Sequence, residues 1–356
     1  ASIYDLPNSK HKETISMTSR TQWNYLPIGL DALGLAALGL AVLGLAVLLL
    51  SWPAPAQAQT IPRDRLVAMT SAWDGPRFPD GRPMVADDVL ERMEHVTLEE
   101  AWATLRQADY DTQYEGGHAF EGGEWEILRP DEPIIGRALT ATYMPARPDV
   151  QQYIDAQGAE DGRSGPPNTW PIDMLQQGDV YVANGYGKIK DGTLIGDRLG
   201  TTIYANSGNG VVFNGSSRDR AGLEEIDGFN AFLRGWHPSY IQDMMLAGLN
   251  TPTRIGGATV MPGDVVLAKE GGIVFIPAHL AEQVVRASER TRVQDAFAHE
   301  MVQAGTYTAG QMDTEWTAAI EARFREWVAA NSERLHEEHG VGQETIEALM
   351  QAGSEN

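Results

Sequence analysis

Arg218 and Asp219 stand side by side at the end of Asn214-Gly215-Ser216-Ser217-Arg218-Asp219, a polar turn that follows the apolar run Gly210-Val211-Val212-Phe213. A guanidinium grips a carboxylate through two parallel N–H···O bonds. A carboxylate next to it can hold a hard cation such as Mg²⁺, with water in the remaining positions. A metal and a guanidinium together suit a 2-oxo acid, because they bind its carboxylate and stabilise the enolate left when a neighbouring C–C bond breaks. Asn-Gly supplies left-handed backbone conformers, and a polar turn after a buried strand is a usual place for a site. Taken bare, the same dipeptide also reads as a surface ion pair.

Such a turn needs a scaffold. The chain supplies it between about residues 84 and 286. Ala86 to Gln107 reads as helical, with Thr97-Leu98-Glu99-Glu100 as a capping box that starts a new helix. Strands are expected at Ile134–Pro145, Gly178–Ala183, Gly210–Phe213, Phe229–Arg234, Val260–Lys269 and Gly272–Pro277, and a helix at about Leu194–Asn206. Residues 109–133 hold two Gly-Gly pairs and read as a surface hairpin or as a lid over a site, and residues 147–177 as an irregular insertion ending in a short helix. Beyond residue 278 the chain reads as helical and charged. There Trp316, Ile320, Phe324 and Trp327 form a packing stripe rather than a ligand box. Helices mixed with short strands make the fold class α/β or α+β. No G-x-G-x-x-G follows a strand and there is no P-loop, so no nucleotide site is signalled.

Composition narrows the partners. The 356 residues carry a net charge of −22. Residues 1–52 sum to zero, so the whole excess lies on the remainder, and an acidic body is repelled by nucleic acid. The absence of cysteine excludes disulfides, thiolate metal sites and a cysteine nucleophile. Residues 26–52 form an apolar run with one charge, Asp31, flanked by Trp23, Tyr25 and Trp52, and long enough to cross a bilayer core of about 30 Å. Glycine recurs at 29, 34, 39 and 44, and Ala32/Ala36 and Ala37/Ala41 give small-xxx-small spacings that suit close helix approach. A retained signal anchor is expected. Lys10, Lys12 and Arg20 place residues 1–25 in the cytoplasm, and the main domain then lies in the periplasm. The alternative is a secretory signal cleaved near Ala58, within Pro53–Thr60. Residues 53–83 read as a linker.

The segment Gly196, Asp197, Leu199, Ala205, Gly208, Gly210, Val211, Val212, Asn214, Gly215, Arg218, Asp219 resembles the RraA-like family, which holds class II 4-hydroxy-4-methyl-2-oxoglutarate aldolases and regulators of ribonuclease E. Pro262-Gly263-Asp264-Val265-Val266, Gly272–Pro277 and Gly136–Thr140 resemble its flanking motifs, and the likeness covers about residues 84–290, leaving 291–356 as a helical C-terminal extension. It implies an α/β/β/α sandwich like a swivelling phosphohistidine domain, assembled as a trimer. It also implies a divalent-metal lyase that releases pyruvate by retro-aldol cleavage of a 4-hydroxy-2-oxo acid or by decarboxylation of oxaloacetate. Arg218 would hold the substrate carboxylate and Asp219 would bind Mg²⁺ or Mn²⁺. Gly196, Asp197, Arg198 and Leu199, at a helix start, would face the oxyanion, with Asp197 matching the family's acid. A carboxylate from a neighbouring subunit would complete the metal shell, with Glu289, Asp295 and Glu300 as candidates. Asn214 stands where many aldolases carry Asp, and Lys269-Glu270 replaces a usual acid. His237 reads as structural or as a general base. The alternative function is a non-catalytic accessory subunit of a membrane complex, bound through residues 26–52.

Overall fold

The computed structural model describes residues 59–116 and 124–351. The expected membrane segment, 26–52, lies outside them. Among the described residues no helix is long and apolar enough to cross a membrane.

Thirteen strands are found among the described residues. They are β1 (Tyr114–Glu115), β2 (Glu126–Ile127), β3 (Ile134–Pro145), β4 (Asp179–Asn184), β5 (Val211–Asn214), β6 (Ser216–Ser217), β7 (Ala231–Leu233), β8 (Gly235–Trp236), β9 (Met244–Leu249), β10 (Thr253–Ile255), β11 (Ala258–Val260), β12 (Val265–Lys269) and β13 (Gly272–Ile276). The main sheet runs β1-β13-β12-β3-β4-β5-β7-β2, and β9 pairs with β3. Strands β3, β4, β5 and β7 are mutually parallel, and the pairings of β12, β13, β1, β2 and β9 are antiparallel. Strands β1 and β2 do not pair as a hairpin. They close opposite ends of the sheet, although few residues separate them, and Trp125 Nε1 donates to Glu115 O across that gap at 3.3 Å. The sheet must therefore curl until its edges meet.

The helices are α1 (Arg63–Met69), α2 (Asp87–Met93), α3 (Leu98–Gln107), α4 (Pro148–Glu160), α5 (Trp170–Asp173), α6 (Asp197–Ser207), α7 (Arg220–Glu224), α8 (Ala281–Gln303), α9 (Ala309–Met312), α10 (Ala318–Ala330), α11 (Ser332–Glu337) and α12 (Gln343–Gln351). Side-chain alternation divides the core into layers. Val180 and Val182 of β4 face an inner cluster with Val266, Ile273 and Phe275, plugged by Ile255, Ala258 and Val260. Tyr181 and Ala183 face outward onto Ile154, Trp170, Ile203 and Leu223 of α4 to α7. On the far side Val265, Leu267, Val274 and Ile276 pack on α2, α3 and α8. The order helix, sheet, sheet, helix follows, with β3 shared between the two halves. Residues after 290 add a fourth cluster, in which Trp316 and Phe324 meet Phe297 edge-on at 5.4 and 5.3 Å and Ile320 and Trp327 complete the packing stripe.

Several elements differ from expectation. The insertion 147–177 holds the helix α4. Pro148 starts it, and Gly158 inside it lets the Trp170 ring pack where a Cβ would stand 2.1 Å away. Residues 63–83, expected as linker, carry α1 and bury Leu66, Phe78 and Arg82, the last paired with buried Asp179 at 3.0 Å. Pro262-Gly263, with φ +90 at Gly263, splits the expected strand 260–269 into β11 and β12. Strand β9 had no expected counterpart. Its run MMLAGL is a short apolar stretch that periodicity alone cannot assign. The capping box at Thr97 forms as expected, and it separates α2 from α3.

Candidate active site

The turn 214–219 is held between Arg234 on one side and Leu194–Ile195 on the other. Arg234 N–H donates to Gly215 O at 2.8 Å, Leu194 N–H to Ser216 O at 3.0 Å, and Arg218 N–H to Ile195 O at 3.1 Å. Ser217 Oγ adds a bond to Ile195 O at 3.0 Å. Leu194 and Ile195 were expected inside the helix. Instead they are buried and extended against this turn, and α6 starts only at Asp197 with Gly196 as its N-cap.

The turn ends in Asp219, which sits in the left-handed region (φ 57, ψ 43), a conformation Asp tolerates better than most residues. That kink starts α7 and turns the carboxylate back onto Gly196. A Cβ at position 196 would lie 2.2 Å from Asp219 Oδ2 and 3.1 Å from Arg218 Nε. Arg218 Nε is 3.6 Å from Asp219 Oδ2, and the two side chains are 42% and 41% exposed. Asp197 is exposed at the first turn of α6. Its Oδ1 accepts the Arg198 N–H at 2.7 Å, and its side chain packs on Gly222 of α7, where a Cβ would meet Asp197 Cβ at 2.7 Å. Asp197 and Asp219 thus both belong to the glycine-mediated contact between α6 and α7. Arg198 is exposed, and Leu199 is half-buried against the outer core. Gly196, Asp197, Arg218 and Asp219 therefore meet where α6 and α7 start, while Arg198 and Leu199 follow along α6 without a hydrogen bond or ion pair to Arg218 or Asp219.

Glu289, Asp295, Glu300 and Lys269 separate from it. Glu289 is wholly buried. Its carboxylate is gripped by Arg92 Nε at 2.7 Å and Nη2 at 3.0 Å, and by Gly342 N–H at 2.9 Å, with Thr345 Oγ1 close by, so within this chain it is a structural ion pair. Glu300 accepts from Trp327 Nε1 at 3.0 Å and Arg334 at 3.1 Å, and Asp295 is exposed. His237 stays beside the turn, its N–H donating to Ser217 O at 3.1 Å, while its ring Nδ1 accepts the Ser239 N–H at 3.2 Å. Lys269 Nζ donates to Glu94 O and Val96 O at 2.7 and 2.8 Å, serving the carbonyls after α2, and burial lowers its pKa. Sequence reasoning missed Glu115, Trp125 and Arg234, whose interlock lies directly beneath the turn. No local signal marks them: Trp125 and Arg234 meet through the β2–β7 pairing, and Glu115 joins them only when the sheet curls.

Among the described residues no three His, Asp or Glu side chains converge as a metal cage. The donor set at the turn is a half-exposed carboxylate, Asp219, at a helix N-terminus, with Asp197 on the same helix contact. That set fits a hard cation bound by one or two carboxylates and otherwise by water, and it does not fit a closed tetrahedral site.

Fold and turn together define an α/β layered protein that presents an Arg-Asp pair at a helix N-terminus. The family model described as RraA-like, Aldolase/RraA, matches residues 107–275. A candidate 4-hydroxy-4-methyl-2-oxoglutarate aldolase of Ectopseudomonas mendocina is 31% identical over 111 residues, covering 31% of this chain and 67% of that protein. The chain belongs to the RraA-like family. Protein DlpA of Legionella pneumophila is 27% identical over 178 residues, 49% of this chain but 27% of that protein, so the chain spans about a quarter of that relative's length. The solved structure of Streptomyces coelicolor RraAS2, described as an unusual member of the RNase ES inhibitor RraA family, superposes with a TM-score of 0.50 at 23% identity, covering 61% of this chain and 99% of that one. That likeness concerns the fold.

Proposed function

We propose that this chain is a lyase that releases pyruvate from a small 2-oxo acid, a 4-hydroxy-2-oxo acid or oxaloacetate, with the chemistry at Arg218 and Asp219. The observation that carries this reading is the seating of the Asp219 carboxylate against Gly196 at the start of α6, with Arg218 Nε 3.6 Å away and both side chains open to solvent. Relatives named for 4-hydroxy-4-methyl-2-oxoglutarate aldolase activity support it.

In this reading Arg218 takes the substrate's carboxylate bidentately and fixes its orientation. A divalent cation, Mg²⁺ or Mn²⁺, held by Asp219 with Asp197 beside it, would supply Lewis-acid polarisation of the 2-oxo group. The start of α6 adds the positive end of a helix dipole on the side where negative charge develops. Gly196 gives the Asp219 carboxylate its room at that helix start, and Arg198 is exposed beside it.

The chain's placement is part of the proposal. Residues 26–52 anchor it to the inner membrane, with residues 1–25 on the cytoplasmic side and the lyase domain in the periplasm. The body assembles as a homotrimer, and a neighbouring copy brings a further carboxylate to the cation.

The full chain in detergent, offered oxaloacetate or 4-hydroxy-4-methyl-2-oxoglutarate with Mg²⁺, is expected to release pyruvate. Release should stop with EDTA and return with Mg²⁺ or Mn²⁺. It should be lost in Arg218→Ala and Asp219→Ala. A folded chain that releases no pyruvate from either substrate would overturn the lyase and favour an accessory role in a membrane complex.

A further inference from the structure

Arg234 and Glu115 form an ion pair 1% and 0% exposed. Buried charges are costly unless every polar atom is engaged, and here the engagement extends towards the turn. Glu115 Oε1 accepts from Arg234 Nη2 at 2.9 Å, and Oε2 accepts the Gly257 N–H at 3.0 Å. The Trp125 ring lies 3.7 Å from the guanidinium carbon. Arg234 Nε donates to Asn214 Oδ1 at 3.1 Å, Asn214 Nδ2 to Asn184 Oδ1 at 3.0 Å, and Asn184 Oδ1 also accepts the Tyr186 N–H at 3.0 Å. The N–H groups of Gly185 and Gly187 both donate to Asn214 O at 2.9 Å.

The direction of every bond is forced. Arginine can only donate, so the Asn214 amide must turn its oxygen to Arg234 and its NH₂ to Asn184. Asn184 must then present oxygen, and the Tyr186 N–H requires the same. A fixed cation thus dictates two amide orientations and, through them, the path of residues 184–187 that clamps the start of the catalytic turn.

We propose that Arg234 is a positioning residue of this site: held by Glu115 and Trp125, it sets Asn214 and Asn184 and thereby the backbone from which Arg218 and Asp219 project. This rests on the reading of Arg218 and Asp219 as the reacting pair. Aspartate at 214 would keep its acceptor for Arg234 but have no donor for Asn184, so it cuts the relay at one link.

The test uses the full chain and four variants: Asn214→Asp, Asn184→Ala, the two combined, and Arg234→Lys. Two quantities are read. One is amide hydrogen exchange in residues 215–219 against residues 284–301 as an internal control, and the other is kcat and KM for pyruvate release. Each single variant is expected to speed exchange in 215–219 by roughly tenfold or more and to leave 284–301 unchanged. kcat should fall by a similar factor with KM little altered, and the combined variant should be no worse than Asn214→Asp alone. Exchange at the wild-type rate in folded variants, or additive effects of the two Asn changes, would overturn the proposal. If Arg234→Lys does not fold, the two Asn variants decide. Altered exchange without any wild-type turnover would leave the clamp standing and remove the lyase. Turnover with unaltered exchange would do the reverse.

Discussion

The Asp219 carboxylate occupies the space that a side chain at Gly196 would need: a Cβ there would stand 2.2 Å from Asp219 Oδ2. Backbone strain plays no part, because Gly196 is extended (φ −130, ψ −168) and any residue adopts that conformation. The glycine is there for clearance. It lets the carboxylate of one helix start rest on the backbone of another.

Gly196→Ala therefore tests the site without testing the fold. The variant is expected to keep its melting temperature within a few degrees and to lose pyruvate release by about 100-fold, through displacement of Asp219. Its affinity for Mn²⁺, read by electron paramagnetic resonance, should fall as well. Wild-type turnover in this variant would show that the carboxylate's seat is unimportant.

Arg218→Lys keeps the charge and removes the planar fork. A point charge cannot reproduce bidentate recognition of a carboxylate. Steady-state kinetics should show a loss of roughly 10²- to 10³-fold in kcat/KM, the scale for losing one well-placed charged donor.

Glu289 and Arg92 make a different prediction. Arg92→Met leaves the Glu289 carboxylate buried without its cation, which costs about 3–5 kcal/mol. Chemical denaturation should record that loss, while kcat per folded molecule stays at the wild-type value. A fall in kcat instead would return Glu289 to the reacting groups.

Asp264 sets a pH dependence of stability. It is buried, its Oδ2 accepts the Met261 N–H at 2.8 Å, and burial pushes its pKa up to about 7. An unfolded Asp titrates near ~3.9. The folded state therefore holds this proton more tightly. Its contribution is most favourable below the unfolded pKa and is lost as pH rises through about 7. Asp264→Asn keeps the acceptor and removes the charge. The melting-temperature difference, variant minus wild type, should grow in the variant's favour from pH 4.5 to pH 7.5. A constant difference would show that Asp264 does not titrate in this range.

Much of the fold was legible because it is written in short-range terms. The strand Ile134–Pro145 has the expected bounds, and Thr97 caps α3 as its spacing requires. The α4 helix was read as irregular because Gly158 and the flanking prolines are local breakers. Only Trp170, packed on Gly158, gives that glycine a reason to be inside a helix. The two ends of 109–133 read in sequence as parts of a surface hairpin or of a lid over a site. They part company because β13 and β7 offer each of them a better edge.

For the candidate site, the sequence by itself singled out Arg218 and Asp219, their turn and the neighbouring helix start, since these are residue types at fixed offsets within about two dozen positions. Tertiary structure alone decided which polar groups serve that turn. Asn184, Asn214 and Arg234 meet because β4, β5 and β7 lie side by side, and Glu115, on the far edge strand β1, joins them only because the sheet curls and brings its two edges together. It also decided what Glu289 is: an acidic residue on a charged helix in the sequence, and a buried partner of Arg92 in the fold. Burial and pairing belong to the packed molecule, and no local pattern encodes them.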